Sequence, residues 1–201
     1  MEEIVYRYEN GIYVNLTNHC PCRCSFCIRG QMQGLGTAES LWLDHTPALE
    51  EVIKALESFP MEAGQEVVFC GYGEPLCALD VLAETAKYLK EKGMRLRINT
   101  NGLGDRINGK PTVPVLKGLI DTVSISLNAP NAARYDELCR PAMPGAYESM
   151  LEYARECKKY FDTRFSVVDV IPPEEIAQCQ KIADEMGIPL RVRHFTDETL
   201  G

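Results

Sequence analysis

The sequence contains no long apolar run, although 45% of its 201 residues are hydrophobic. No stretch approaches the roughly 20 consecutive apolar residues that span a bilayer. The first residues, MEEIVYRYENG, are acidic, whereas a secretory signal begins with basic residues that are followed by apolar ones. We therefore expect a cytoplasmic protein without a membrane segment.

Positive charge is also scarce, because the formal net charge is -8. Binding to a nucleic-acid backbone needs a basic surface, so this charge argues against bulk phosphate binding while leaving room for a local basic patch. The sequence also lacks an internal linker, a repeat or a low-complexity segment. We expect a single domain, residues 1–201, built around one core.

Cysteine, by contrast, is abundant: the chain has nine, and four of them lie in the stretch VNLTNHCPCRCSFCIRG at residues 14–30. Thiols stay reduced in the cytoplasm, so a tight group of cysteines indicates metal or redox chemistry and not a disulfide framework. The five scattered cysteines are interpreted as core residues. These are Cys70, Cys77, Cys139, Cys157 and Cys179.

Short runs rich in β-branched residues alternate with segments of helical periodicity. Strands are predicted at residues 12–16, 66–70, 95–100, 122–127, 165–171 and 190–195. Helices are predicted within residues 49–56, 79–89, 147–154 and 176–186, with a weaker one at 113–119. This alternation indicates a parallel sheet, in which ligands bind at the carboxyl ends of the strands.

Cys20, Cys24 and Cys27 form a CxxxCxxC pattern after the first predicted strand. Three thiolates on one loop suit an iron-sulfur cluster, and because such clusters usually have four protein ligands, one iron would stay open for chemistry. Two alternatives remain at this point. The site could bind zinc with Cys22 or His19 as the fourth ligand, or the cysteines could be grouped by chance.

A second motif, FCGYGEPL at residues 69–76, follows the second predicted strand. Gly71 and Gly73 lack a Cβ atom, so the backbone can turn sharply and its carbonyls can approach a ligand, while Glu74 places a carboxylate beside them. This combination suits a ligand with an ammonium group. An ordinary Gly-Pro turn between strand and helix is the alternative reading of the same residues.

Together the two motifs resemble the radical S-adenosylmethionine (SAM) superfamily. CxxxCxxC with Phe26 before its last cysteine is similar to the family signature, and GYGEP is similar to its Gly-Gly-Glu element. NTNG at residues 99–102 and SISLN at residues 124–128 resemble further SAM-contact segments. The opening NLTNHCPCRCSFCIR, in so short a chain, most resembles the small radical SAM proteins associated with TatD-type metal-dependent hydrolases.

The resemblance implies an α/β fold, an incomplete (βα)6 TIM-like barrel with the active site at the carboxyl ends of its strands. Cys20, Cys24 and Cys27 would hold a [4Fe-4S] cluster whose open iron binds SAM. Cys22 would then not be a cluster ligand. An electron from a flavodoxin- or ferredoxin-type donor would cleave SAM to a 5'-deoxyadenosyl radical, which abstracts hydrogen from a substrate. The residues implied to contact SAM are Phe26, Gly71, Gly73, Glu74, Thr100, Asn101, Ser126, Asn128 and Ile171.

The substrate is not specified by these motifs. Candidate substrate contacts are Tyr13, Asn15, Asp169, Arg191, Arg193 and His194, although charged residues on an edge strand also serve to discourage aggregation. The competing function is a non-catalytic iron-sulfur or zinc protein for electron transfer or partner binding. A mere cluster carrier has no need of the glycine-glutamate turn or of the polar strand ends, so we favour the enzyme.

Overall fold

The computed structural model describes residues 4–9, 11–31 and 33–195, and its centre is one seven-stranded sheet. The strands lie side by side in chain order. They are β1 (Val5–Tyr8), β2 (Gly11–Val14), β3 (Glu66–Phe69), β4 (Arg95–Thr100), β5 (Thr122–Ser126), β6 (Asp162–Val168) and β7 (Leu190–Arg193). β1 and β2 form an antiparallel hairpin, and β2 to β7 are parallel. The six parallel strands in sequential order are those expected of an incomplete (βα)6 barrel.

Seven helices lie between the strands of the described chain. They are α1 (Leu49–Glu57), α2 (Leu79–Glu91), α3 (Gly104–Asn108), α4 (Val113–Leu116), α5 (Ala132–Cys139), α6 (Ala146–Cys157) and α7 (Pro173–Met186). Two short 3-10 turns, Ile28–Gly30 and Pro75–Ala78, follow β2 and β3. In the residues that the structure describes, no helix is long and apolar enough to cross a membrane.

Side chains on successive strand residues point to opposite faces, and the two faces of this sheet differ sharply in polarity. One face is apolar, fully buried and packed into the core with the helices; Val67, Phe69, Ile98, Ile125 and Val167 belong to it. The other, which we call the polar face, carries Tyr13, Val68, Arg97, Asn99, Ser124, Ser126, Ser166, Arg191 and Arg193. On the polar face Val68, Arg97, Ser124 and Ser166 are buried, whereas Tyr13, Ser126, Arg191 and Arg193 retain exposure.

The predicted set of six strands is wrong by one, because β1 was not predicted. The sequence did hold a signal for it, since Asn10-Gly11 between two apolar runs is typical of a hairpin turn. β6 also begins and ends three residues earlier than predicted, at Asp162 and Val168. Pro172 and Pro173 open α7, and the chain leaves the sheet before them. Ile171 consequently lies beyond the strand, with its side chain buried.

Two short helices, α3 and α5, were also not predicted. In α5 the buried side chains are only Tyr135, Leu138 and Cys139, which is too short a stripe to stand out as helical periodicity. Local capping nevertheless starts this helix, because the Asn131 side chain accepts a hydrogen bond of 3.0 Å from the Arg134 amide. The position of α5 is important for the site described next.

Candidate cofactor site

The cysteine loop that follows β2 is docked on the carboxyl end of α5. The Arg23 amide donates to the Cys139 carbonyl, and the Ser25 amide donates to the Leu138 carbonyl, each at 2.9 Å. The last carbonyls of a helix have no partner within it, so these amides supply the missing hydrogen bonds. Ala142 extends the pairing by donating to the Pro21 carbonyl at 2.8 Å. The loop backbone is therefore fixed before any ligand binds.

The thiols of this loop differ in burial and in pKa. Cys20, Cys24 and Cys27 are half-buried, whereas Cys22 is buried. A hydrogen bond from Cys22 lowers the pKa of Cys20 to about 6, and one from Cys139 lowers the pKa of Cys24. Burial raises the pKa of Cys27. Two of the three predicted ligands therefore favour the thiolate, which is the form that binds metals.

The positions of these thiols distinguish a site for a single metal ion from a site for a cluster. Within the described residues, no group of three or more His, Cys, Asp or Glu side chains surrounds a common point where one metal ion would sit. A structural zinc needs four donors around one ion, so the zinc reading finds no support in this geometry. In an iron-sulfur cluster each thiolate binds a different iron, so the sulfurs need not converge. Three half-buried thiols on one fixed loop fit that donor set, once the Cys20–Cys22 and Cys24–Cys139 hydrogen bonds open.

Glu74 joins the carboxyl ends of β3 and β4 through a buried carboxylate. Its Oε1 accepts hydrogen bonds from Thr100 Oγ1 at 2.7 Å and from the Leu76 amide at 3.2 Å, and its Oε2 accepts one from the Asn101 amide at 2.7 Å. Burial raises the pKa of Glu74 to about 7, and the nearby Cys20 thiolate adds to the rise. A carboxylate has about four acceptor positions, so roughly one is left for a ligand.

Gly71 and Gly73 let the turn after β3 lie directly against the loop after β2. A Cβ atom at Gly73 would come within 2.2 Å of the Thr17 carbonyl oxygen, and one at Gly71 within 2.0 Å of Asn15 Oδ1. The Glu74 amide then donates to the His19 carbonyl at 2.8 Å. Both glycines are therefore required by chain packing, which brings the glycine-glutamate turn to the cysteine loop.

Asparagine side chains that follow β4 and β5 lie near two different groups of cysteines. Asn101 Nδ2 lies 3.8 Å from Cys22 Sγ and 4.0 Å from Cys20 Sγ. Asn128, with φ of 56°, adopts the left-handed backbone conformation that asparagine tolerates better than most residues, and its Nδ2 lies 3.7 Å from Cys139 Sγ. The motifs after β2, β3, β4 and β5 thus meet at one edge of the sheet.

Comparison with known proteins identifies the family of this arrangement. Residues 14–186 match the sequence profile of the Radical SAM superfamily. The chain belongs to the radical SAM superfamily. Its sheet, open between β1 and β7 in the residues that the structure describes, is accordingly the partial barrel of a radical SAM core. The family implies a [4Fe-4S] cluster and SAM as cofactors.

The chain is similar to enzymes with different substrates. It is 33% identical over 145 residues to "GTP 3',8-cyclase" of Corynebacterium glutamicum (strain R), covering 67% of this chain and 35% of that protein. It is 30% identical over 147 residues to "Probable dual-specificity RNA methyltransferase RlmN" of Nostoc punctiforme, covering 71% of this chain and 37% of that protein. The chain thus spans about a third of the length of these curated relatives.

Solved structures support the fold. TYW1 with a lysine-pyruvate adduct bound superimposes with a TM-score of 0.64 at 16% identity, covering 100% of this chain and 70% of that one. Methylornithine synthase (PylB) superimposes with a TM-score of 0.58 at 13% identity, covering 96% and 55%. At such identities the likeness extends to the radical SAM fold alone.

The residues predicted to contact SAM fall into two sets, one at the polar carboxyl edge of the sheet and one in the hydrophobic core. The Glu74 carboxylate accepts hydrogen bonds from Thr100 and from Asn101. Ser126 is half-buried at the end of β5, where it pairs in register with Ser166 of β6. Phe26 and Ile171 instead pack with the hydrophobic core. Their predicted contact with the adenine of SAM stays a prediction.

Reasoning from the radical SAM motifs missed two residues behind the cysteine loop. Cys139 is buried in the core as predicted, and in addition its thiol donates to Cys24, a role that the motifs did not indicate. Tyr135 is buried beside Cys22, and burial raises its pKa. No signal identified either residue, because both lie on α5, which was not predicted. Cys157 and Cys179 are buried in the core as expected, whereas Cys70 and Cys77 are only half-buried.

The six candidate substrate contacts fall into three groups. Asn15 is buried, and its Nδ2 donates to the Leu41 carbonyl at 2.8 Å. His194 lies just beyond β7, where its Nδ1 is 2.7 Å from Asp169 Oδ2. Tyr13, Arg191 and Arg193 lie on the polar face of the radical SAM sheet.

Proposed function

We propose that this chain is a radical SAM enzyme. In this proposal Cys20, Cys24 and Cys27 would hold a [4Fe-4S] cluster, which together with bound SAM would supply the reductive radical chemistry for hydrogen abstraction from the substrate. The observation that carries the proposal is the meeting of the cysteine loop, Glu74 and Asn101 at the carboxyl ends of β2, β3 and β4. A carrier of a cluster alone would need only the first of these.

When bound, the cluster and SAM supply the electron transfer and the radical, and the protein supplies binding, orientation and exclusion of water. Hydrogen bonds from Cys22 and Cys139 lower the pKa of Cys20 and of Cys24 in the metal-free protein, so these thiols lose their protons readily before iron binds. The Gly73 carbonyl and the remaining acceptor position of Glu74 would receive the SAM ammonium group. Thr100, Asn101, Ser126 and Asn128 would face its ribose and carboxylate.

The substrate and the partners belong to this proposal as well. The curated relatives act, by their names, on GTP and on RNA, and the chain covers too little of them for either substrate to be transferred. A cleft of about 440 Å³ beside the cysteine loop is lined in part by Arg23, Arg29, Cys24 and Cys27, which suits an acidic electron donor of the flavodoxin or ferredoxin type. The opening motif supports association with a TatD-type hydrolase, which co-purification would test.

Cluster ligation is the first prediction of the proposal. We expect Cys20→Ala, Cys24→Ala and Cys27→Ala each to lose most of the iron after anaerobic reconstitution, because each removes one ligand of three. Cys22→Ala should keep it, and Cys179→Ala, a buried cysteine on α7, is the control for the loss of any core thiol. Iron content and circular dichroism are the measurements. If folded Cys22→Ala contains as little iron as the other three, the site has four protein ligands and lacks the open iron.

A further inference from the structure

The polar face holds more positive charge than its own carboxylates balance. Arg97 of β4 pairs in register with Val68, and Arg191 and Arg193 of β7 pair with Ser166 and Val168. Paired residues of parallel strands share a face, so these three arginines point to the polar face, as do Arg95, which pairs with Glu66, and Arg164, which forms an ion pair with Asp162. This concentration of positive charge contrasts with the net charge of -8 for the whole chain.

Of Arg97, Arg191 and Arg193, it is Arg97 that has a carboxylate partner in the structure. Its guanidinium lies 3.0 Å from Glu66 Oε2 and donates to Asn99 Oδ1, also at 3.0 Å, with only 7% of the residue exposed. One carboxylate therefore neutralises one arginine. For Arg191 and Arg193, the described residues provide no ion pair.

Arg193 is half-buried, and its charge is influenced by groups on strands at the other end of the strand order. Burial lowers the pKa of Arg193, and Arg191 and Arg97 lower it further, whereas Cys70 and Tyr13 raise it. Tyr13 and Cys70 belong to β2 and to the residue after β3, so groups at the other end of the strand order act electrostatically on Arg193. A half-buried guanidinium without a carboxylate is unfavourable unless a ligand supplies the negative charge.

Arg193 also lies at the correct end of the sheet for a substrate, whereas Arg97 lies nearer the start of β4. Arg193 is the last residue of β7, and Cys70 follows the last residue of β3, so both lie at the carboxyl ends of the strands. The cysteine loop and Glu74 occupy the same edge. A molecule held by Arg193 would thus lie at the edge of the sheet where the proposed function places the cofactors.

We propose that Arg193, with Arg191 and Arg97, binds a phosphate or carboxylate group of the substrate, so that the substrate is an anionic molecule. The proposal rests on the proposed function, because it places the substrate opposite the cofactors. Guanidinium groups bind phosphate and carboxylate through two parallel hydrogen bonds, which fixes the orientation of the anion as well as its position. Tyr13 adds a hydroxyl from the facing strand.

The test is isothermal titration calorimetry of the reconstituted protein, saturated with SAM, with inorganic phosphate and with malonate at constant ionic strength. We expect saturable binding of at least one probe, and the preferred probe distinguishes a phosphate from a carboxylate substrate. Arg193→Gln should weaken that binding tenfold or more. Arg95→Gln, an exposed arginine at the start of β4, removes the same charge and should change it less than twofold.

Three results would overturn the inference. They are no saturable binding of either anion, equal effects of Arg193→Gln and Arg95→Gln, or a loss of SAM affinity in Arg193→Gln as large as the loss of anion affinity, which would assign Arg193 to the SAM carboxylate. Formation of 5'-deoxyadenosine in the same samples separates this inference from the proposed function. Anion binding through Arg193 without SAM cleavage refutes only the function, and SAM cleavage without anion binding refutes only the inference.

Discussion

At the scale of single residues, the site depends on hydrogen bonds between thiols that the motif alone does not reveal. The spacing of Cys20, Cys24 and Cys27 predicted three ligands and left Cys22 without a role. The structure places Cys22 behind Cys20 as a buried donor, and it places Cys139 in the same relation to Cys24. The pairing of Cys24 with Cys139 depends on how α5 packs against the loop, so reading along the chain could not predict it.

We expect the metal-free protein to show an unusually acidic thiol at Cys20. Because Cys22 donates to the Cys20 thiolate, the alkylation of Cys20 by iodoacetamide should be half-maximal near pH 6. Cys22→Ala removes the donor and should move that midpoint upward, toward the ordinary cysteine value of about 8.5. Rates measured by peptide mass spectrometry check this. An ordinary midpoint in the wild-type protein would show that the hydrogen bond is not formed in solution.

Glu74 gives a second prediction, on the stability of the metal-free protein. Burial raises its pKa from 4.5 to about 7, so folding favours the protonated carboxyl. Its contribution is complete below pH 4.5 and is lost as the pH rises through 7, which amounts to about 3 kcal/mol at 1.36 kcal/mol per pKa unit.

The measurement for Glu74 is urea unfolding of the wild type and of Glu74→Gln between pH 4.5 and 7. The wild type should lose stability relative to the variant as the pH rises, whatever constant offset the amide introduces by facing three hydrogen-bond donors. Thr100→Val, which removes one of those donors and leaves the carboxyl in place, should keep the wild-type slope or steepen it. Parallel pH profiles for wild type and Glu74→Gln would contradict the buried position of this carboxyl.

At the scale of elements, most segments with a clear apolar pattern were predictable, including the short helix α4, whereas α3, α5 and β1 were not. The six parallel strands and the helices α1, α2, α6 and α7 follow from apolar patterns of sufficient length. β1 was not predicted and β6 was predicted three residues too late. The positions of these strands follow from neighbouring turn residues and prolines more than from strand propensity. α5 has too few buried positions to be recognised, yet it supports the whole cysteine loop.

The end of α5 offers a prediction that isolates its backbone. Arg140 caps this helix with φ of 46°, a left-handed conformation that costs an arginine more than a glycine. Arg140→Gly should therefore raise the free energy of unfolding by up to about 1 kcal/mol. Asp136→Gly, an exposed change inside the same helix, should lower it by about 0.3 kcal/mol, the difference in helix propensity between Asp and Gly. Equal destabilisation by both variants in urea unfolding would contradict the described end of α5.

At the scale of the whole molecule, one face of the sheet contributes to stability and the other carries the candidate functional residues. Its apolar face packs with the helices, and its polar face carries arginine, asparagine and serine side chains that do not add to the core. The sequence motifs located the cofactor edge of this sheet. The grouping of Arg97 with Arg193 could not be predicted from them, because these residues lie on strands separated by two others and share only a face of the sheet.

The central claim is that this radical SAM core cleaves SAM. The most direct measurement is 5'-deoxyadenosine and methionine formation by the anaerobically reconstituted protein, given SAM and dithionite without substrate, with Cys24→Ala as the control that lacks a cluster ligand. We predict slow formation of both products by the wild type and none by Cys24→Ala, since the site is incompletely closed when no substrate is bound. A reconstituted wild-type protein that binds SAM and yields no 5'-deoxyadenosine would contradict the claim.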